Sequence, residues 1–309
     1  MNICPITYQP CEGKYSIRGV KKLSRKLTHL ENFPYTTEEQ ISEAAARSAK
    51  MSIQGVQPKL SAVFDADKAS FEITDIGGRF VLKPQNPFYP ELPENEDLTM
   101  RLAEAAGINV PFHGLVYSKD GYLTYFIRRF DRVGKKKKIA TEDFSQLLEF
   151  TRETKYDGSM EKVAQVLDRF CTFPAMEKVR LFRLTVFNYL IGNEDMHLKN
   201  FSLISDSGKT ELSPAYDLLN TTIAIGNPKE ELALPIKGKK NKITREILVD
   251  YYAGERLKLT DKVISKVLKK IRSAFPVWDK LIALSFLSDK MKKEYVALTN
   301  QRKQKIFFK

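Results

Sequence analysis

The sequence predicts a bilobal α+β fold, with an N-lobe built on a small antiparallel sheet at residues 1–130 and a mainly helical C-lobe at residues 131–309. Short strand-like runs joined by tight turns dominate the first part, and short turns join antiparallel neighbours. Apolar residues at helical spacing dominate the second part, which holds one hairpin. With 309 residues, 42% of them hydrophobic, the chain is long and apolar enough for two packed lobes.

The N-lobe begins with an irregular arm at residues 1–35 that includes one possible helix. Thr36 and Glu39 then match a capping box, which predicts a helix from there to about residue 50. Turns rich in aspartate and glycine separate the strands that follow, and Gly107 ends the next helix. These remaining elements are strands at 59–64, 71–75 and 79–82, a helix at 94–107, and strands at 113–117 and 122–128.

The C-lobe carries helical patterns interrupted by one pair of strands. The strand pair is indicated by two short runs on either side of an Asp-Ser-Gly turn. We predict helices at 141–148, 160–170 and 175–191, a hairpin with strands at 201–204 and 209–212, and four further helices up to the end.

Composition limits the classes of protein that the chain can belong to. A run of about 18 uncharged apolar residues is absent and no signal peptide is apparent, so neither a membrane span nor secretion is predicted. Three scattered cysteines and three histidines are too few for a typical zinc site and suit a reducing compartment, so we expect a cytoplasmic protein. The net charge of +13 indicates either a lysine-rich solvated surface or a patch for a polyanion. The lysine clusters lie at 135–138, 237–242 and 290–293.

A short polar loop follows the long apolar helix at 175–191, and in it Asp195 lies five residues before Asn200. Phosphoryl transfer from ATP needs a carboxylate to accept a hydroxyl proton, and an amide oxygen and a second carboxylate to hold Mg²⁺. We therefore interpret Asp195 as the catalytic base and Asn200 and Asp217 as metal ligands, with Lys199 neutralising the transferring phosphoryl group. Considered singly, Asp195 would be a solvated loop residue and Asp217 a helix cap; their joint spacing favours kinase chemistry.

Lys83 ends an apolar strand, the position from which a lysine reaches the α- and β-phosphates of a nucleotide. An acidic partner on the following helix would fix it, and Glu94 and Glu96 both qualify. The loop at 52–59 could cover the phosphates with backbone N–H groups, with Gly55 allowing close approach. His197 would either order the loop backbone or contact a phosphate directly.

In their order along the chain, these motifs resemble the HipA family of serine/threonine kinase toxins. The motifs that carry the resemblance lie at residues 52–59, 82–84, 94–96, 129–132, 142–146, 195–200 and 216–219. The resemblance implies a protein-kinase-like fold that uses ATP and Mg²⁺, with an aminoacyl-tRNA synthetase as the phosphorylated substrate. It also implies that Ser52 is a loop serine that the kinase autophosphorylates, which would disfavour ATP by charge repulsion.

The resemblance implies the same base and metal ligands as above, an adenine-binding hinge at 128–130, and a contact from Gln146 to the nucleotide sugar. The residues that it implies at the ATP site are Gln54, Gly55, Val56, Gln57, Lys59, Lys83, Arg128, Arg129, Phe130, Gln146, His197, Leu198, Lys199, Asn200, Tyr216 and Asp217. The hinge departs from the family pattern, because Arg128 stands where an acid is common.

The short stretch before Ser52 is similar to the HipT kinases of tripartite systems, which lack the N-terminal subdomain of other members. In that group the missing subdomain is a separate small antitoxin, HipS, the DNA-binding protein HipB completes the complex, and the target is tryptophanyl-tRNA synthetase. Similarity to this group implies the same partners here, with only indirect contact to DNA. Gln54 occupies the place of a second loop serine.

The resulting prediction is an ATP-dependent serine/threonine kinase that acts as a toxin by phosphorylating a synthetase. Two alternatives remain open at this stage. One is a small-molecule phosphotransferase on a similar fold, and the other is a basic DNA-complex or scaffold protein with a vestigial kinase pocket.

Overall fold

A computed structural model describes residues 2–47, 57–134, 137–151, 153–226 and 230–308. The strands are β1 (Asn2–Ile3), β2 (Pro10–Cys11), β3 (Leu60–Asp65), β4 (Ser70–Ile73), β5 (Phe80–Lys83), β6 (His113–Tyr117), β7 (Leu123–Arg128), β8 (Arg132–Val133), β9 (Lys137–Lys138), β10 (Ala140–Asp143), β11 (Ser202–Asp206) and β12 (Lys209–Leu212). The α-helices are α1 (Ile17–Leu23), α2 (Thr37–Arg47), α3 (Leu92–Ala105), α4 (Phe144–Leu147), α5 (Met160–Phe170), α6 (Pro174–Ile191), α7 (Thr221–Ile225), α8 (Asp261–Ser273), α9 (Phe275–Leu284) and α10 (Asp289–Phe307). A 3₁₀ turn spans Leu198–Asn200, and a π-helix spans Glu246–Arg256.

The chain divides into two compact units. The first comprises residues 1–98, 111–132 and 283–287, and the second comprises residues 99–110, 133–282 and 288–309. The mixed α+β class that the sequence predicts is confirmed, with an antiparallel sheet in the first unit and mostly helices in the second. The domain limits at 1–130 and 131–309 stay a prediction.

The first unit is built on a five-stranded antiparallel sheet with the order β4-β3-β5-β7-β6. Strand β5 is central, and the side chains of all four of its residues are buried. Phe71, Phe80 and Phe126 pack with ring centroids 5.1 to 6.2 Å apart and form the aromatic centre of the core. Because β5 is covered on both faces, Lys83 at its end is held inside the unit, only 4% exposed.

The predicted capping box at the start of α2 is present. The Thr36 N–H donates to Glu39 Oε2 at 2.7 Å, and the Glu39 N–H donates to Thr36 Oγ1 at 3.2 Å. These two bonds satisfy N–H groups that the first turn of a helix cannot pair internally. The sequence signal alone was enough to locate this helix start.

The second unit is organised around α6, in which nearly every residue after Arg180 is buried. Gly192 ends the helix with φ 78°, a left-handed conformation that favours glycine. A Cβ at this position would lie 2.6 Å from Leu298 Cδ2 and 2.7 Å from Thr222 Oγ1. The glycine therefore lets the chain turn sharply into the loop that holds Asp195.

The helix predicted at 141–148 is wrong in its first half. Residues Ala140–Asp143 form strand β10, which pairs antiparallel with β11, and only Phe144–Leu147 are helical. Asp143 is the N-cap of α4, because its side chain accepts from the Gln146 N–H while Gln146 accepts from the Asp143 N–H. A capping residue ends the preceding strand and begins the helix, so the apolar spacing across the junction belongs to two elements.

Three cysteines, Cys4, Cys11 and Cys171, are buried free thiols. None of the helices in the described ranges is both long enough and apolar enough to span a membrane.

Candidate active site

The backbone of Asp195 is fixed on both sides within the second unit. Its N–H donates to Asn193 Oδ1 at 3.1 Å, and Asn193 is itself held by Asn188 at 3.1 Å. Its carbonyl oxygen accepts from Asn200 Nδ2 and from the His197 N–H, each at 2.8 Å. The side chain of Asp195 is half exposed. The loop therefore presents a carboxylate to solvent from a rigid backbone, as a catalytic base requires.

The segments before Asp195 and after Asp217 are joined through the first turn of α7. Thr221 Oγ1 donates to the Gly192 carbonyl at 3.0 Å and accepts from the Glu194 N–H at 2.7 Å. Thr222 Oγ1 donates to Glu194 Oε1 at 2.5 Å. Because α7 begins only four residues after Asp217, these bonds hold both candidate acids in one region of the unit.

The candidate metal ligands Asn200 and Asp217 carry the donor atoms that Mg²⁺ prefers. Because Asn200 uses its Nδ2 on the Asp195 carbonyl, its Oδ1 lies on the other side of the amide, where it can accept a cation. Burial lowers the pKa of His197, and the charges of Asp195 and Asp217 oppose that shift, which indicates that both carboxylates lie near the imidazole. In the described ranges, no group of three or more His, Cys, Asp and Glu side chains is arranged for a metal. The residues fit an ion whose other ligands come from phosphate and water.

His197 is buried between the acids and Lys155, and burial lowers its pKa. Lys155 Nζ lies 2.8 Å from His197 Nε2. An ammonium group can only donate, so Nε2 is the acceptor and the imidazole proton lies on Nδ1. Among the described residues, no group bonds to that buried Nδ1. The direct phosphate contact, which the sequence left as one of two interpretations for His197, stays a prediction.

Tyr156 contacts the candidate base directly, because its hydroxyl donates a hydrogen bond to Asp195 Oδ1. Burial and this bond raise the pKa of Tyr156 well above its ordinary value, so the phenol stays protonated and remains a donor. Neither Tyr156 nor Lys155 was predicted from the sequence. Both lie in a turn-rich segment between α4 and α5, and no motif marks them.

Lys199 and two other predicted residues lie around the same loop. Lys199 Nζ is 3.7 Å from Asp143 Oδ2 at the start of α4. Gln146 uses its side-chain oxygen in the capping box with Asp143, and it is exposed. Tyr216 Oη donates to the Lys199 carbonyl at 3.0 Å and lies 2.6 Å from Ser202 Oγ. Leu198 is buried. Asp143 thus forms an ion pair with the lysine that the sequence assigned to the phosphoryl group.

In the first unit, Lys83 forms a buried ion pair with Glu96. The ammonium lies 2.7 Å from both carboxylate oxygens, and the two side chains are 4% and 2% exposed. The geometry answers the question that the sequence left open, because Glu94 is bonded elsewhere. A bidentate pair of this kind fixes the direction of the lysine side chain.

Glu94 is paired with Gln85, whose Nε2 lies 2.8 and 3.0 Å from its carboxylate oxygens. Burial raises the pKa of Glu94 from 4.5 to about 7, the Gln85 hydrogen bond opposes that rise, and the charges of Glu91 and Asp97 add to it. An acid that is harder to ionise in the folded state than in the unfolded state binds more protons when folded. The contribution of Glu94 to the free energy of unfolding is therefore fully present below about pH 4.5 and is lost as the pH rises to about 7.

Replacing Glu94 by Gln is expected to remove this dependence. At pH 8 the variant should be more stable than the unaltered chain by about 2–3 kcal/mol, and at pH 4.5 nearly equal to it. Urea unfolding at the two pH values measures the difference. Glu104→Gln, a change at an exposed position of the same helix, serves as the control. Its stability relative to the unaltered chain should be the same at both pH values. An equal stability gap at both pH values would contradict the assignment.

The predicted hinge lies at the end of β7. The N–H groups of Arg128 and Arg129 donate to the Phe112 and Arg79 carbonyls at 2.8 Å, so adenine would have to bond to other backbone groups there. The Arg128 guanidinium carbon lies 5.4 Å from the ring centroid of Phe80.

The loop predicted at 52–59 to cover the phosphates is described only in part. Gln57 and Lys59 lie in the range that begins at residue 57. The predicted residues Ser52, Gln54, Gly55 and Val56 lie outside the described residues.

Comparison with known proteins identifies a family whose model matches most of the chain. The HipA-like C-terminal domain family matches residues 51–278. A protein of Haemophilus influenzae named "Putative kinase" is 28% identical over 239 residues, covering 72% of this chain and 69% of that protein. The serine/threonine-protein kinase toxin HipA of Shewanella oneidensis is 28% identical over 190 residues, covering 55% of this chain and 43% of the toxin.

Among solved structures, the fold is similar to that of HipA in the complex of Shewanella oneidensis HipA, HipB and operator DNA. The TM-score is 0.68 with 23% identity, covering 90% of this chain and 72% of that one. At this identity the similarity shows the fold alone. The chain spans less than half of the length of the Shewanella toxin sequence to which it aligns.

Proposed function

The chain belongs to the HipA-like C-terminal domain family, and from this premise we propose that it is an ATP-dependent serine/threonine protein kinase that acts as the toxin of a toxin–antitoxin system. One observation carries the proposal. Asn200 bonds through its amide nitrogen to the carbonyl of Asp195, five residues earlier, so the loop presents a carboxylate and an amide oxygen together. General-base and metal-binding groups are needed side by side for phosphoryl transfer.

In the proposed reaction, Asp195 accepts the proton of a serine or threonine hydroxyl as that oxygen bonds to the γ-phosphorus of ATP. The bond from this phosphorus to the β–γ bridging oxygen breaks, and ADP leaves with that oxygen. Asn200 and Asp217 would hold Mg²⁺, which neutralises phosphate charge when bound. Lys199 and the Nδ1–H of His197 would stabilise charge on the phosphoryl oxygens. Lys83, oriented by Glu96, would bind the α- and β-phosphates.

The substrate and partners follow from family resemblance. We propose an aminoacyl-tRNA synthetase as the substrate, with tryptophanyl-tRNA synthetase as the first to test, and Ser52 as the autophosphorylation site. A small HipS-like antitoxin and a DNA-binding HipB-like protein would complete a cytoplasmic complex. The HipB–DNA complex named for the Shewanella neighbour supports such an assembly.

The substrate proposal is tested by incubating the chain with labelled ATP, Mg²⁺ and a bacterial lysate. Label is expected in a protein of synthetase size, and purified tryptophanyl-tRNA synthetase should take label on a serine or threonine and lose aminoacylation activity. Label confined to small molecules would favour the alternative phosphotransferase. If nucleotide turnover were absent and DNA binding fell steeply with salt, the scaffold alternative would be favoured.

The metal assignment predicts that Asp217→Asn raises the Mg²⁺ concentration for half-maximal transfer by about 10-fold or more, because an ionic ligand becomes a neutral one. Asp217 has φ 58°, and Asn tolerates this left-handed conformation as well as Asp does, so the backbone should be kept. A Mg²⁺ titration of the transfer rate measures the effect.

Asp206→Asn is the matched control, since Asp206 is the last residue of β11, next to the hairpin turn, and bonds to the exposed Lys137. It should leave the titration unchanged. A titration of Asp217→Asn that overlays that of the unaltered chain would remove Asp217 from the metal site.

A further inference from the structure

The segment at residues 153–158, between α4 and α5, packs at several points on the loop at residues 195–200, which we call the catalytic loop. The Leu198 N–H donates to the Lys155 carbonyl at 3.3 Å, and Lys155 Nζ bonds to His197 Nε2 at 2.8 Å. A Cβ at Gly158 would lie 2.9 Å from the Leu198 side chain, so the backbone of the segment approaches the loop closely. The segment is thus held against the loop by backbone and side-chain contacts together.

Tyr156 is oriented by the same contacts. Its ring meets the His197 ring edge-on, with centroids 5.0 Å apart and an interplanar angle of 87°. Lys155 Nζ lies 4.9 Å from the Tyr156 ring centroid. The residue is 36% exposed, so these contacts cover only part of its surface. The phenol hydroxyl is therefore directed to Asp195 Oδ1 by a ring that contacts His197 and Lys155.

The Asp195 carboxylate needs such an orienting group. Its backbone is fixed by Asn193, Asn200 and His197, but those bonds use the N–H and carbonyl of Asp195 and leave the side-chain torsions undetermined. His197 Nε2 is 3.9 Å from Asp195 Oδ1, too far for a hydrogen bond. Within the described part of the chain, the Tyr156 hydroxyl donates a hydrogen bond to that carboxylate.

We propose that Tyr156 is a positioning residue for the phosphoryl transfer: its hydroxyl holds Asp195 by Oδ1 and so directs Oδ2 to the hydroxyl of the substrate. The inference rests on the proposed kinase function. A carboxylate has two oxygens, and a donor on one fixes the rotation that presents the other. Holding a reacting group within a few tenths of an ångström of its productive position contributes strongly to rate.

The test is Tyr156→Phe, which keeps the ring and its packing and removes only the hydroxyl. We expect kcat for phosphate transfer to fall about 10-fold or more, as when one hydrogen bond to a charged group is lost. The KM for ATP should change less than about twofold, because the change affects the transition state and not nucleotide binding. Tyr122→Phe, a change of an exposed tyrosine in the first unit, should leave both constants unchanged.

A second measurement separates positioning from a general structural effect. In an Asp195→Asn background, Tyr156→Phe should slow the residual transfer less than about twofold, because a residue that acts through Asp195 has nothing left to position. Full additivity of the two changes would overturn the proposal. An unchanged kcat in the single variant would also overturn it, and a raised kcat would show that the phenol obstructs the acceptor.

The kinase function and the positioning role of Tyr156 can be tested separately. If the unaltered chain transfers no phosphate to any protein, then the kinase function fails. If the unaltered chain transfers phosphate and Tyr156→Phe does so at the same rate, then only the positioning role fails.

Discussion

Asp195→Asn is expected to lower kcat for phosphate transfer by about 100- to 10,000-fold, the range over which a general base contributes. The amide keeps the size and shape of the side chain and can still accept from Tyr156, but it cannot take a proton. The backbone bonds of Asp195 to Asn193 and Asn200 do not involve the carboxylate, so the loop should be preserved. Steady-state transfer of labelled phosphate measures the loss, and expression of the variant in cells should no longer arrest growth.

Asp250→Asn is the matched control for this variant, because Asp250 is an exposed acid on the π-helix of the same unit. Its transfer rate and its unfolding midpoint should equal those of the unaltered chain. Transfer by Asp195→Asn within about threefold of normal would refute the assigned base, since even a modest general-base contribution exceeds that factor.

Long periodic elements were predictable from the sequence. The helix predicted at 160–170 is Met160–Phe170 in the structure, and the helix predicted at 175–191 begins one residue earlier, at Pro174. In both, the apolar spacing is continuous over at least three turns, so local pattern and tertiary packing agree. At 141–148 a strand and a helix meet at Asp143, so the apolar pattern over these residues mixes the spacing of a strand with that of a helix.

The candidate site was predictable where spacing along the chain fixes it, as in the loop from Asp195 to Asn200. It was not predictable where the answer depends on how one element faces another. Glu94 and Glu96 are two residues apart, about 200° around a helix, so only one can face Lys83. The choice depends on the rotation of α3 against β5, which no local pattern records. Tyr156 depends in the same way on how the segment between α4 and α5 packs against the loop from Asp195 to Asn200.

The Lys83–Glu96 pair allows stability and catalysis to be separated. Lys83→Met is expected to abolish detectable transfer and to lower the free energy of unfolding by about 3–5 kcal/mol, because it leaves a buried carboxylate without its ammonium partner. Adding Glu96→Leu replaces the pair with two apolar side chains, which should recover most of the lost stability. Transfer should stay absent in the double variant, because the ammonium that binds phosphate is still missing.

Urea unfolding and transfer assays on the same preparations measure both effects. Lys68→Met provides the comparison, since it breaks a pair with Glu72 whose side chains are 68% and 38% exposed, and it should leave the free energy of unfolding nearly unchanged. If the double variant regained transfer along with stability, Lys83 would act only by holding α3 to the sheet. If instead stability returned and transfer did not, then the lysine acts on the nucleotide, because the loss can no longer be attributed to a disturbed fold.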